Sequence, residues 1–464
     1  DHGLEAGDRV IVQLPNVAEF VVVCFALFRL GVRPVFALLS HRATEIRHLR
    51  EVSGAVGYVV AADNLDLAGE VYDGALQVFV HGEHPGLPET YSSLAGVDGE
   101  PGPWPVIDPA DVAFFLLSGG TTALPKLIPR THDDYGYQTR ATAELLGLTQ
   151  QDAYLAVLPI EFNFAWGCPG VIGTLRTGGR VVLAESAVAD DCFALIEREQ
   201  ITFTSVVPTI AQLWLDEADD QPYDLSSLRV VQVGGAPLHR EVAERIQPAF
   251  GCTLQQVFGM AEGLLSMTGL DDPPDVVIGT QGRPLSPGDE IRIVDDTDAE
   301  VADGDPGELL TRGPYTLRGY YRAPEHNQRA FTHDGFYRTG DVARITASGR
   351  LVIDGRLKDV IIKGGNKVSA AEVEGHLLNH PAVARVAVVP MPDRYLGERI
   401  CAYVEAVGEP PDLATLREFL RDRRIAEFKL PDRVEVISVL PLTGLGKVDK
   451  KVLAADAAGR ALTA

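Results

Sequence analysis

The chain has 464 residues, 46% of them hydrophobic, and a formal net charge of −24 at pH 7. This length allows more than one core, and the acidic balance without a basic stripe argues against a nucleic-acid-binding protein. Five scattered cysteines without a CxxC pair argue against a disulfide framework or a structural zinc, and they favour a reducing compartment, so we expect a cytoplasmic protein.

The first elements predict a parallel α/β unit. Arg9–Leu14 is a candidate strand, Asn16 a candidate cap for a helix that runs to about Leu30, and Pro34–Leu38 begins a second strand. The most apolar stretch, residues 17–39, is interrupted by charged residues and a proline. It lacks the run of about 20 apolar residues that a membrane span needs, so no membrane partner is expected.

Short apolar runs bounded by turns then recur along the chain. They are Val112–Leu117, Ala153–Leu158, Arg180–Leu183, Phe203–Val207 and Arg229–Val233, with helical stretches at Asp191–Glu199 and Glu241–Phe250. Such runs fit strands buried on both faces of parallel sheets. From Asp289 the pattern changes to strands with Asp/Gly turns, Glu290–Val294 and Gly307–Thr311, which predicts a small antiparallel sheet. A last βαβ-like segment, residues 360–464, ends in a helix rich in Lys and Ala. We therefore predict an α/β fold with a large N-terminal part and a smaller C-terminal domain.

A loop of small residues directly follows one of these runs. It reads Ser118-Gly119-Gly120-Thr121-Thr122-Ala123-Leu124-Pro125-Lys126. Small residues let backbone N–H groups approach phosphate oxygens, while hydroxyls and a lysine add donors and charge. The spacing differs from the P-loop GxxxxGK[ST], so a Walker-type NTPase is a poor match. By composition alone an ordinary Gly/Ser/Thr turn is equally possible.

Five segments, in the expected order, resemble the signatures of the adenylate-forming superfamily: acyl-CoA synthetases, luciferases and the adenylation domains of nonribosomal peptide synthesis. Besides the loop, they are Phe258-Gly259-Met260-Ala261-Glu262, Tyr337-Arg338-Thr339-Gly340-Asp341, Gly355-Arg356-Leu357-Lys358-Asp359 through Gly364-Gly365, and Pro441-Leu442-Thr443-Gly444-Leu445-Gly446-Lys447. The resemblance implies an enzyme that uses ATP and Mg²⁺ to convert a carboxylic acid to its acyl-adenylate, releases pyrophosphate, and passes the acyl group to a thiol. It also implies an N-terminal adenylation domain of stacked α/β subdomains and a small antiparallel β subdomain, residues 1–357, that lacks several dozen residues before Asp1. A mobile C-terminal α+β domain would occupy residues 358–464.

The resemblance assigns roles to individual residues. It implies phosphate binding by Ser118, Gly119, Gly120, Thr121, Thr122 and Lys126, and adenine and ribose binding by Gly234, Gly235, Gly259, Met260, Asp341 and Arg356. Glu262 would bind the metal ion and Lys447 would be the catalytic residue. The hinge would be at Lys358 and Asp359, and the thiol tunnel at Gly364 and Gly365. Both reactants, the carboxylate and ATP, are anions, so the site must supply positive charge and hold the two in line. Ala123 departs from the family's usual glycine, and we expect reduced rather than abolished ATP handling.

The segments 118–135, 254–263 and 311–315 are closest to the stand-alone aryl-acid AMP ligases of siderophore and peptide-antibiotic assembly, which activate 2,3-dihydroxybenzoate or salicylate. The implied aryl-acid pocket comprises Phe162, Asn163, Phe164, Cys168, Ala236 and Leu265, with Asn163 at the ortho substituent. Dihydroxybenzoate enzymes tend to have serine and valine where this chain has Cys168 and Leu265, and salicylate enzymes cysteine and leucine. A salicylate-like, ortho-hydroxy acid is therefore favoured, because a second hydroxyl would be buried unpaired.

The pocket also departs from that subgroup. Phe162 replaces a histidine and Phe164 a tyrosine, so the site is more apolar and could accommodate a methylated, heteroaromatic or bicyclic acid. Alternatively, these aromatic side chains belong to the core.

Three functions stay open. The expected acceptor is the phosphopantetheine of an aryl carrier protein; an aryl-CoA ligase would use free CoA instead. A non-catalytic nucleotide or aryl-acid binder is a third reading, suggested by Ala123 and Phe162 and opposed by the retention of Glu262, Asp341 and Lys447. A dehydrogenase is least favoured, because no GxGxxG follows the first strand.

Overall fold

The computed structural model describes residues 3–97, 104–118, 124–218, 221–443 and 446–461. Within them the chain forms four sheets in sequence order. The first two are mainly parallel and packed by helices, the third is antiparallel, and the fourth belongs to the C-terminal part. The predicted α/β class is confirmed.

The first sheet has the strand order β5-β4-β3-β1-β2-β6-β7, parallel except for the antiparallel pair β6–β7. Its strands are β1 Arg9–Gln13, β2 Arg33–Phe36, β3 Gly57–Ala61, β4 Gln77–His81, β5 Tyr91–Ser93, β6 Val112–Leu117 and β7 Leu127–Thr131, and its helices are α1 Ala18–Leu30, α2 Ala43–Ser53, α3 Leu65–Val71 and α4 His132–Leu146. Central strands such as β1 are buried on both faces, as expected for apolar runs in a parallel sheet.

The sequence predicts Asn16 as the cap of α1, and this prediction is wrong. Val17 occupies the N-cap position and makes no side-chain cap bond. The Asn16 amide instead reaches the second sheet: Nδ2 lies within hydrogen-bond distance of the carbonyls of residues 156, 158 and 184, and Oδ1 accepts from the Ile160 N–H. An asparagine can satisfy several buried backbone groups at once, and here it joins two sheets.

The second sheet has the order β14-β13-β12-β11-β10-β8-β9, with β8 to β12 parallel and β13 and β14 antiparallel. Its strands are β8 Ala153–Ala156, β9 Arg180–Leu183, β10 Phe203–Val206, β11 Val230–Gly234, β12 Thr253–Met260, β13 Gly263–Met267 and β14 Arg283–Pro284, and its helices are α5 Asn163–Gly167, α6 Gly170–Arg176, α7 Ala189–Glu199, α8 Pro208–Glu217, α9 Arg240–Phe250 and α10 Pro274–Gly279. The carboxyl ends of β11 and β12 lie side by side, with Gly234 opposite Val257. In open α/β sheets this edge is where ligands bind.

The third sheet is the antiparallel one predicted from residue 289 onward. It comprises β15 Glu290–Val294, β16 Gly307–Arg312, β17 Tyr337–Ile345 and β18 Leu351–Arg356, in that spatial order, with helix α11 Pro324–Ala330. Asp341 on β17 pairs with Arg356 on β18, so two predicted ribose contacts are neighbours across the ladder.

The C-terminal sheet is only partly βαβ. It comprises β19 Val360–Lys363, β20 Asn366–Ser369, β21 Val383–Asp393, β22 Gly397–Ala406 and β23 Arg433–Val436, with helices α12 Ala370–Leu377, α13 Leu413–Asp422 and α14 Lys450–Ala461. β22 and β23 pair in parallel across α13, whereas the other pairs are antiparallel. The boundary at 357/358 falls in the turn Leu357–Asp359 between β18 and β19, and the division into two domains there stays a prediction. A search of the described helices finds none with the length and apolarity of a membrane span.

Candidate functional site

An open cleft lies at the carboxyl ends of β11 and β12. Gly235, Ala236 and Gly259 are exposed there. A side chain on Gly259 would collide with Leu265, and one on Gly234 would collide with the Val257 carbonyl. Neither position has room for a Cβ, which accounts for glycine at both, and the close approach of adenine and the aryl ring to these glycines stays a prediction.

Lys447 enters this cleft from the C-terminal part. Gly235 has φ +84°, and a Cβ there would lie 3.3 Å from Lys447 Cε and 3.6 Å from Nζ. The backbone of the lysine is anchored by Thr443, whose N–H donates to the Lys447 carbonyl at 2.7 Å. The structure thus brings the proposed catalytic lysine to Gly235, directly after β11 and more than 200 residues away in sequence.

Two charged partners face this lysine across the cleft. Arg356 Nε lies 2.6 Å from Asp341 Oδ1, and the Asp341 side chain is almost fully buried. Burial raises the pKa of Asp341 to about 6, opposed by the nearby Arg356 guanidinium. Burial also lowers the pKa of Lys447 to about 8, and the Arg356 charge acts in the same direction. Near neutral pH the group therefore has one carboxylate and two cations, one of them close to its pKa.

The phosphate loop is closed at its base by its first and last residues. Ser118 N–H donates to the Lys126 carbonyl at 2.9 Å, and Lys126 N–H donates to Ser118 Oγ at 3.0 Å. The predicted contacts Gly119, Gly120, Thr121 and Thr122, and the departure at Ala123, lie outside the described residues. Their roles stay predictions.

Glu262 and Lys126, the last residue of that loop, both lie beside Tyr320. Tyr320 Oη donates to Glu262 Oε1 at 2.7 Å, Tyr337 Oη lies 2.9 Å from Tyr320 Oη, and Lys126 Nζ lies 5.9 Å from the Tyr320 ring centre. The sequence did not single out Tyr320, because nothing local links it to Glu262. Burial and the neighbouring carboxylate raise the pKa of Tyr320 far above its ordinary value, so it stays a donor.

The side chains around Glu262, the predicted metal ligand, limit which metal ion could bind there. Among the described residues no group of three His, Cys, Asp or Glu side chains could hold one. A single carboxylate beside a phosphate loop nevertheless fits Mg²⁺, which keeps several waters and binds through one or two carboxylates plus substrate phosphates.

Three of the predicted aryl-pocket residues share one apolar cluster. It contains Cys168, Leu265, Val257, Met267 and Tyr315, with Tyr137, Phe164 and Leu285 packed against it. Phe164 also lies against Gly234. Burial raises the pKa of the Cys168 thiol to about 12, so it is a neutral, weakly polar lining group. Phe162 stands outside this cluster, half-buried at the N-cap of α5.

Asn163 is anchored by side chains that the sequence analysis did not identify. Its Oδ1 accepts from Tyr135 Oη at 2.9 Å and Gln138 Nε2 at 3.1 Å, and its Nδ2 donates to the Met260 carbonyl at 3.2 Å. Tyr135 and Gln138 are three residues apart on α4, a spacing that puts both on one face of the helix, but nothing local in the sequence links that face to Asn163.

Four predicted residues lie in turns of the C-terminal part, and one of them, Lys358, is close enough to Lys447 for its charge to lower the pKa of that lysine. Lys358 and Asp359 are in the turn between β18 and β19. Gly364 and Gly365, with φ +57° and +84°, form the turn between β19 and β20, where Gly364 N–H donates to the Leu396 carbonyl. Their roles as hinge and thiol tunnel stay predictions. The described residues thus bring together a buried lysine, a carboxylate–guanidinium pair and, beside Gly234, an aromatic side chain of the apolar cluster.

Comparison with protein families gives two matches. Residues 1–321 match the family described as AMP-binding enzyme, and residues 372–447 match the AMP-binding enzyme C-terminal domain. Together they cover most of the chain.

Individual relatives are similar over almost the whole chain. The 2,3-dihydroxybenzoate-AMP ligase of Bacillus subtilis (strain 168) is 51% identical over 459 residues, which are 97% of this chain and 84% of that protein. The salicyl-AMP ligase / salicyl-S-ArCP synthetase of Mycobacterium tuberculosis is 46% identical over 97% of this chain and 81% of its own length. The apo structure of Mycobacterium smegmatis MbtA has a TM-score of 0.73 at 47% identity, covering 98% of this chain and 86% of that one.

Proposed function

Because the chain belongs to the AMP-binding enzyme family, we propose that it is an aryl-acid AMP ligase. It activates an ortho-hydroxy aryl acid with ATP and transfers the aryl group to the phosphopantetheine thiol of an aryl carrier protein. The observation that carries this proposal is the placement of Lys447 against Gly235, beside the Asp341–Arg356 pair. Such a cleft supplies positive charge where two anions must react.

In the first half-reaction the substrate carboxylate attacks the α-phosphorus of ATP, and the bond to the β-phosphate oxygen breaks to release pyrophosphate. In this proposal the Lys447 ammonium contacts both the carboxylate and the α-phosphate as charge develops. Asp341 accepts hydrogen bonds from the ribose hydroxyls, and Glu262 with the base of the Ser118–Lys126 loop receives the phosphates. Glu262 would hold Mg²⁺, which would supply positive charge to the phosphates.

In the second half-reaction the thiol sulfur attacks the acyl carbon, and AMP leaves with the electrons of the broken C–O bond. The acyl-adenylate must then meet the pantetheine arm, which we assign to the Gly364–Gly365 turn after movement about Lys358 and Asp359. This assignment rests on the sequence motifs and on the turn's position at the edge of the C-terminal sheet.

The identity of the acid is supported by the apolar cluster. Cys168 and Leu265 share it, and neither offers a strong hydrogen bond to a second ring hydroxyl. We therefore propose a salicylate-like acid. The double variant Cys168→Ser with Leu265→Val should shift the preference toward 2,3-dihydroxybenzoate by about 5- to 100-fold, the range for pairing one buried hydroxyl.

The test is ATP–pyrophosphate exchange with salicylate, 2,3-dihydroxybenzoate, 3-hydroxypicolinate and a bicyclic hydroxy acid, followed by transfer to a holo carrier protein or to CoA. Exchange with salicylate and faster transfer to the carrier protein are expected. Faster transfer to CoA would instead make the chain an aryl-CoA ligase. Exchange with no aryl acid, despite nucleotide binding, would favour the non-catalytic binder.

A further inference from the structure

A fully buried arginine fixes the orientation of the amides beside the aryl pocket. Arg130, at the end of β7, has no exposed surface. Its Nη2 donates to Gln138 Oε1 at 3.0 Å, its Nη1 to the Ala261 carbonyl at 3.0 Å, and its Nε to Asp134 Oδ1 at 3.0 Å. A guanidinium has five N–H donors and no acceptor, so the Gln138 atom that faces it must be the amide oxygen.

The other end of Gln138 is then necessarily its NH₂ group. It donates to the Gly167 carbonyl at 3.0 Å and to Asn163 Oδ1 at 3.1 Å. Because a backbone carbonyl can only accept, Gly167 requires the same orientation independently of Arg130. The direction of the Gln138 amide is therefore determined from both sides.

The orientation of the Asn163 amide is determined in the same way by its partners. Its Oδ1 also accepts from Tyr135 Oη at 2.9 Å, so both oxygen lone pairs are occupied. Its Nδ2 donates one hydrogen to the Met260 carbonyl, which cannot donate. Within the described part of the chain no group accepts the second Nδ2 hydrogen. What Asn163 can still offer a ligand is one N–H donor and no acceptor.

We infer that Gln138, oriented by Arg130, is a positioning residue that makes the pocket specific for a hydrogen-bond acceptor ortho to the substrate carboxylate. This inference rests on the proposed function and on the assignment of Asn163 to the ortho substituent. A phenolic oxygen qualifies, because its own proton points to the neighbouring carboxylate and its lone pairs face outward. An ortho amine presents an N–H to the Asn163 N–H, leaves two donors unpaired, and is disfavoured.

The test compares three acids of similar size in ATP–pyrophosphate exchange: salicylate with an ortho acceptor, benzoate with none, and anthranilate with an ortho donor. The wild-type protein should have kcat/KM at least about tenfold higher for salicylate than for anthranilate, the scale for one mismatched buried hydrogen bond. In Gln138→Met, which keeps the side-chain length but loses the donor, Asn163 Oδ1 regains a free lone pair. The salicylate-to-anthranilate ratio should then fall by about fivefold or more.

The matched control is Gln255→Met. Gln255 is equally buried in a separate amide chain, where its Nε2 donates to the Thr268 carbonyl at 2.8 Å and its Oε1 accepts from Gln232 Nε2 at 2.8 Å. This variant can lower activity through stability, but it should leave the ratio between acids unchanged. A purely structural role for Gln138 would make its variant behave in the same way.

The possible results distinguish failure of the Gln138 inference from failure of the proposed function. Equal use of anthranilate and salicylate by the wild-type protein would overturn the inference and leave the proposed ligase standing, whether or not the variant folds. An unchanged ratio in a folded Gln138→Met would do the same. Exchange with none of these three acids, nor with 2,3-dihydroxybenzoate, 3-hydroxypicolinate or the bicyclic hydroxy acid, would overturn the proposed function itself, and the inference with it.

Discussion

Replacing Lys447 with alanine should separate the two half-reactions of the proposed ligase. The ammonium lies against Gly235 and shares the cleft with Asp341 and Arg356, where burial lowers its pKa to about 8. The charged form therefore prevails at neutral pH and is lost as the pH rises through about 8. Removing one preorganised electrostatic group from such a site costs about 10²–10³ in rate, or about 2.7–4 kcal/mol.

The assay measures both steps on the same preparation. Adenylate formation is followed by pyrophosphate exchange, and thiol transfer by a single turnover with supplied aryl-adenylate and holo carrier protein. We expect the loss in the first step only, since the thiol reacts without a new phosphoryl contact. The control is Lys450→Ala, three residues further on, whose ammonium pairs with Glu374 at 2.6 Å outside the cleft. Equal losses in both steps, or an equal effect of the control, would refute the reasoning.

Three further predictions concern protons and metal. Because catalysis needs Asp341 ionised and Lys447 protonated, kcat/KM for exchange should fall below about pH 6 and above about pH 8; a rate still rising above pH 9 would contradict these roles. Glu262→Gln keeps an oxygen for the Tyr320 hydroxyl but loses the charge. The Mg²⁺ concentration for half-maximal exchange should therefore rise by at least about tenfold, a loss of metal affinity that even changes to outer-shell partners produce. An unchanged Mg²⁺ titration would show that Glu262 does not bind the metal. Burial raises the pKa of Glu161 to about 8, above its ordinary 4.5, so folding favours the protonated acid and stability falls as pH rises between those values. Glu161→Gln should therefore raise Tm at pH 9 and have little effect at pH 5, and equal Tm shifts at both would show that the carboxyl is not buried in solution.

Much of the fold could be predicted because the signals are local. Apolar runs of four to six residues located strands such as Val112–Leu117 and Arg180–Leu183, whose observed bounds agree with the prediction. Asn16 was misassigned because an asparagine before a helix has the same local pattern whether it caps that helix or bonds to another sheet. Only the tertiary structure shows that its partners lie more than 130 residues away.

The residues of the candidate site likewise include some that could be predicted from the sequence and some that could not. Glycines at strand ends and the short motifs around Asp341 and Lys447 could be found in sequence, because each is contiguous. The Tyr320–Glu262 contact and the Arg130–Gln138–Asn163 relay could not, because each joins distant segments and only burial gives the polar groups a fixed direction. The domain boundary and the cellular compartment stay predictions.

The joint made by Asn16 has a consequence for recombining this enzyme with its relatives. All four of its partners are backbone groups, three carbonyls and the Ile160 N–H, so the joint does not depend on which side chains occupy those positions. A chimaera that exchanges the first sheet between homologues needs to retain the asparagine and the local path of the chain at residues 156–160 and 184. Phe20 and Phe36 also pack on Trp166 between the same two layers, so a crossover there has to keep these aromatic contacts as well as the asparagine.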